Sequence, residues 1–131
     1  MSPQQRQTYC TAKYLRMILR LERQEGCIRV KNLARELGLR KGSVSGALKT
    51  LRERGLVDYR PYQPIRLTEA GREMAEKIAG HHCIIACFLR KTLRMSPKTA
   101  EMSAARMGSV VDEAVVARMR HYLERSPTEV F

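Results

Sequence analysis

Apolar residues recur at helical spacing along most of the chain, and the clearest register lies between residues 28 and 72. Val44, Leu48 and Leu51 follow one another at i, i+4 and i+7, which makes one helix face apolar. The other face carries Ser43, Gly46, Lys49, Thr50 and Glu53. Just upstream, Val30, Leu33, Ala34 and Leu37 mark a shorter amphipathic helix that stops at Gly38, a residue suited to the left-handed end of a helix. Two short helices joined by residues 38–42 predict a helix-turn-helix, in which the second helix enters the DNA major groove. Gly55 ends that second helix. Leu56–Arg60 then alternates like a strand, Pro61 and Pro64 bracket a tight turn, and Ile65–Leu67 reads as the returning strand. Thr68 caps the helix that follows. Helix, helix, two-stranded ribbon, helix is the order of a winged helix-turn-helix.

The flanks are helical too. Tyr14, Leu15, Ile18, Leu19 and Leu21 predict a helix from about Thr8 to Gln24, preceded by a polar, frayed start. Met74, Ala75, Ile78, Ile84, Ile85, Phe88 and Leu89 predict a long helix from Thr68 to about Lys91. After a break at Arg94–Met95, Ser96 is an N-cap and Pro97 a first helical residue of a segment reaching about Val110. Asp112 caps a last helix with Ala114, Val115, Met119, Tyr122 and Leu123. The expected fold is mainly α. Residues 1–72 form a winged helix-turn-helix DNA-binding domain, and residues 73–131 a helical dimerisation region of one long linking helix plus two more. Met95, Met102, Met107 and Met119 are soft packing residues that suit a subunit interface, so a homodimer on two-fold symmetric operator DNA is expected.

Charge sharpens this picture. The formal net charge is +12 over 131 residues, which favours a polyanionic partner. Between residues 29 and 72 there are eleven Lys or Arg against four Asp or Glu, an excess of seven. No apolar run is long enough to span a membrane, and the polar N-terminus lacks a secretory leader, so a cytoplasmic protein without membrane partner is expected. Cys10, Cys27, Cys83 and Cys87 are then expected to stay reduced. No enzyme is indicated, because no nucleophile–base pair, phosphate loop or carboxylate pair stands at a workable spacing.

Thr11–Ile18, Arg29–Ala34, Gly55–Val57 and Leu67–Gly71 together resemble the diphtheria-toxin-repressor and manganese-transport-regulator family over about residues 8 to 125. The order of elements matches, and the length matches the short branch without an extra C-terminal domain. The resemblance implies a dimeric, metal-dependent transcriptional repressor. It also assigns ligand positions. The first helix normally offers a Met, or an Asp with a Glu one turn later, where this chain has Lys13 and Arg16. His82 matches the long helix's His, while Ala86 stands where the iron branch has a Glu. Ala105–Ser109 replaces the run bearing Cys or Glu and then Glu-His, and Glu101 falls at an ancillary His. Only His82 and Glu101 persist as donors, so the metal site is largely replaced. Lys13 or Arg16, paired with Glu101, becomes a candidate ion-replacing contact.

One other group has donor chemistry. Cys83 and Cys87 are four apart on one helix, with His82 at their edge and Cys10 on a helix that could approach. Thiolate and imidazole suit iron, zinc or copper(I), with iron first among divalent transition metals as cofactor. The alternatives are a thiol- or metal-sensing regulator, no cofactor at all, and cysteines that merely pack as small apolar residues. The expected DNA contacts are Arg40, Lys41, Ser43, Ser45, Gly46 and Lys49, with Arg60 and Arg66 on the wing. The family usually has a base-reading Gln where Gly46 stands.

Overall fold

The structure, a computed structural model, describes residues 2–125. Residue 1 and residues 126–131, the end of the expected dimerisation region, lie outside the described residues. The element order is α1 (Pro3–Glu25), α2 (Val30–Leu37), α3 (Lys41–Glu53), β1 (Val57–Asp58), β2 (Arg66–Leu67), α4 (Glu69–Leu93), α5 (Pro97–Met107) and α6 (Glu113–Arg125). The chain divides into two compact units. One is Thr11–Lys77, and the other joins the residues up to Cys10 with those from Ile78 onward.

The first unit is the winged helix-turn-helix. Leu15, Ile18, Leu19 and Leu21 of α1 are buried, as are Leu33 and Ala34 of α2 and Val44, Leu48 and Leu51 of α3. Gly38 ends α2 at φ 67°, and Leu39 N–H closes on Ala34 C=O at 3.0 Å, so the chain turns directly into α3. The left-handed backbone there would strain a side-chain-bearing residue. β1 and β2 pair antiparallel, Val57 opposite Leu67 and Asp58 opposite Arg66. An isolated antiparallel bridge from Ile28 to Ile65 ties the ribbon to the segment before α2. At the wing's exit Thr68 Oγ1 donates to Gly55 C=O at 2.6 Å and accepts from Gly71 N–H at 3.0 Å. A Cβ on Gly71 would overlap the backbone of Leu56, so glycine is required for α4 to start against the residue that leads into β1. Arg72 also holds Glu22 of α1 at 2.6 Å.

The second unit has its own core, built on Ile85, Ala86, Leu89, Ala100, Ala104, Val116 and Met119. Ala100 and Ala104 are fully buried, which lets α5 lie close to its neighbours. Phe88 and Tyr122 meet edge to face, ring centroids 5.7 Å apart. Ser96 caps α5 as expected, accepting from Thr99 N–H at 3.3 Å.

Some boundaries differ from expectation. The first helix starts at Pro3 rather than Thr8, because Ser2 and Gln5 form a reciprocal cap. Gln5 N–H donates to Ser2 Oγ at 3.2 Å, and Ser2 N–H to Gln5 Oε1 at 2.9 Å. α5 ends at Met107, three residues short of the expected Val110. The wing strands are two residues each, shorter than the alternating runs that announced them. Among the described residues no helix is long and apolar enough to cross a membrane.

Candidate nucleic-acid interface

The packing that seats α3 also decides what it offers outward. With Val44, Leu48 and Leu51 in the core, Lys41, Gly42, Ser43, Gly46, Lys49 and Thr50 are exposed. Arg40, the N-cap, makes no side-chain cap bond, and the first turn of α3 holds no acidic residue. That end of the helix therefore keeps its positive dipole open to an anion. Gly46 faces open space: a Cβ there would meet nothing within 4 Å. Glycine inside a helix costs about 1 kcal/mol relative to alanine. Nothing in the fold requires it at this position, whereas a bare backbone suits close approach of another molecule.

Several cations of this unit serve the fold. Arg52 donates to Tyr59 C=O at 3.0 Å, Arg54 to Thr11 Oγ1 at 2.8 Å, and Arg29 to Tyr62 C=O at 3.3 Å. These arginines brace the wing and the first helix. Arg40, Lys41, Lys49, Arg60 and Arg66 are exposed, and no hydrogen bond or ion pair within the described residues engages their side chains. They are the five cations of α3 and the wing that sequence reasoning assigned to DNA; Arg23 and Lys31, outside these elements, are exposed and unengaged as well. Ser43 is exposed as well. Ser45 is half-buried, and its hydroxyl accepts from Tyr59 Oη at 3.4 Å.

In the second unit, His82 Nε2–H donates to Glu101 Oε2 at 2.5 Å, joining α4 to α5. His82 is largely covered and Glu101 largely exposed, their side chains 12% and 63% accessible. Cys10 and Cys83 are exposed and Cys87 is half-buried, all three as free thiols. Among the described residues no three His, Cys, Asp or Glu side chains stand together so that they could hold a metal ion.

Residues 8–65 match the sequence pattern of the iron dependent repressor N-terminal DNA binding domain, and residues 68–129 that of the iron dependent repressor metal binding and dimerisation domain. The chain belongs to the iron dependent repressor family. It is 32% identical over 103 residues to an uncharacterized HTH-type transcriptional regulator of Methanocaldococcus jannaschii, covering 79% of this chain and 82% of that protein. It is 30% identical over 112 residues to the transcriptional regulator MntR of Escherichia coli O6:H1, covering 86% of this chain and 72% of the relative. The solved structure of the manganese regulator SloR superposes with a TM-score of 0.78 at 23% identity. That match covers 96% of this chain but 56% of SloR. It speaks for the fold.

Iron dependent repressors are DNA-binding transcriptional regulators, and the family's second domain binds divalent metal. The residues present here do not fit such an ion. A protein-held transition metal takes at least three protein donors as a rule. His82 and Glu101 supply two, and those two are bonded to each other. Where the family resemblance puts first-helix ligands, Lys13 and Arg16 bring positive charge, which repels a divalent cation rather than coordinating it.

Proposed function

We propose that this chain is an operator-binding repressor that works as a homodimer and reaches its DNA-competent form without a bound metal ion. The observation that supports the DNA contact is that α3 and the wing together keep a set of cations free for a partner. Arg40, Lys41, Lys49, Arg60 and Arg66 stay exposed and unengaged, while Arg29, Arg52 and Arg54 serve the fold. α3 is the element that enters the major groove, with Lys49 at a base edge and Arg40, Lys41 and Ser43 at phosphates. Arg60 and Arg66 meet the neighbouring backbone. Gly46, in place of a base-reading side chain, lets α3 approach the bases closely and loosens sequence readout there.

The test is a fluorescence titration of an operator selected from random duplexes. Lys49→Ala weakens binding by ~1–3 kcal/mol and relaxes preference at one base position, as expected of a base contact. Unchanged affinity removes Lys49 from the interface. A selection that enriches no sequence, with a steep salt slope, replaces this reading by non-specific binding.

A further inference from the structure

At the tip of the wing, Gln63 N–H closes on Arg60 C=O at 3.1 Å, forming a four-residue turn with Pro61 second and Tyr62 third. Tyr62 has φ 65°. Proline suits the second position of such a turn, whereas a left-handed third position is the usual place of Gly or Asn. A tyrosine is costly there, since its Cβ crowds the backbone. Its ring returns nothing to the fold, because the residue is 99% exposed. The tip is nonetheless held. Arg29 donates to Tyr62 C=O at 3.3 Å, and Pro61 and Pro64 restrict the chain on either side. Arg60 and Arg66, both exposed, lie on the two arms of the same hairpin. A braced turn thus thrusts an aromatic ring into solvent with cations at its base.

We propose that Tyr62 is a minor-groove contact: its ring enters the DNA minor groove beside the major-groove site of α3, while Arg60 and Arg66 lie along the flanking phosphates. This rests on the DNA-binding reading of the winged unit and extends it to a second groove. The minor groove is about 6 Å wide, narrow enough to grip a ring edge-on. Its negative potential draws arginine where A·T pairs narrow it further. Wedge side chains are used at such steps in other DNA-binding proteins. The hydroxyl can donate to adenine N3 or thymine O2, whereas the guanine 2-amino group obstructs the same position. Tyr62 therefore gives the protein a preference for A·T pairs flanking its major-groove site.

The chain has no tryptophan, so Tyr62→Trp places a single indole at the tip. Binding is followed separately by anisotropy of a labelled duplex. On saturation, acrylamide quenching of the indole falls at least threefold. Tyr62→Gly, which suits the turn, melts no lower than the parent protein yet binds an A·T-flanked duplex at least tenfold more weakly, with a smaller loss on G·C flanks. An indole equally accessible in free and bound protein, or parental affinity of Tyr62→Gly on both duplexes, overturns the proposal while leaving DNA binding intact. Tyr62→Gly melting clearly lower assigns the ring a structural role and likewise overturns it. If unsubstituted protein fails to change the duplex anisotropy, the DNA reading and this one fall together.

Discussion

Tyr59, the residue after β1, donates its hydroxyl to Ser45 of the recognition helix across 3.4 Å. Its carbonyl accepts from Arg52 of the same helix at 3.0 Å. Two bonds therefore fix where the wing stands relative to α3, and the buried ring fills the space between them. The hydroxyl bond is long, so Tyr59→Phe is expected to cost under ~1.5 kcal/mol. Tyr59→Ala removes the ring as well and is expected to cost ~3–5 kcal/mol, the range for emptying an aromatic site in a core. Urea denaturation of the two variants measures both. Similar losses would mean that the hydroxyl, not the ring, holds the wing.

Much of this unit was legible from periodicity alone. Val44, Leu48 and Leu51 could face one way only, and Gly38 and Gly55 marked the helix ends because both take a positive φ. The start of α1 was also written in the chain, as Ser2, Pro3 and Gln5, but a polar opening without apolar repeats hides a cap. What could not be read was what holds the arginines left out of the DNA set. Arg52, Arg60 and Arg66 look alike in sequence, and only the folded chain brings the Arg52 guanidinium to a carbonyl seven residues on. Ser45 likewise shares the exposed pattern of Ser43 until Tyr59 covers it. His82 and Glu101 lie nineteen residues apart, and no local rule pairs them.

Dimerisation is expected to draw on the second unit, which matches the family's metal binding and dimerisation domain. Met102, Val110, Val115 and Tyr122 are about half exposed there, beside a core that already buries Ala100, Ala104, Val116 and Met119. We predict that these side chains belong to the association surface. Sedimentation at micromolar concentration is expected to show twice the 15.0 kDa chain mass. Met102→Glu with Val115→Glu is expected to return a single-chain species with unchanged helix content. Such a monomer should bind a half-site and lose most affinity for a two-fold operator, because the second recognition helix is no longer tethered. A 15 kDa species from the unsubstituted protein would rule the dimer out.

Operator binding without a metal ion, as proposed above, would set this chain apart from its family, and the His82–Glu101 pair frames the last prediction. The bond joins α4 to α5 directly, side chain to side chain. Glu101 is largely exposed, so the pair contributes ~1 kcal/mol or less to stability, and its role is to hold a geometry. Protein treated with chelator under reducing conditions is therefore expected to bind its operator as tightly as untreated protein. Mn(II) or Fe(II) should shift affinity by less than tenfold, a coupling below ~1.4 kcal/mol. Glu101→Gln should leave the melting temperature nearly unchanged, since Ala100 and Ala104 still pack, and should not create a metal requirement. Gel shift across these conditions measures all of it. A sharp Mn(II) requirement would show that a functional site assembles despite Lys13 and Arg16. A tenfold response to peroxide that disappears in Cys83→Ser would instead give control to the exposed thiol of α4.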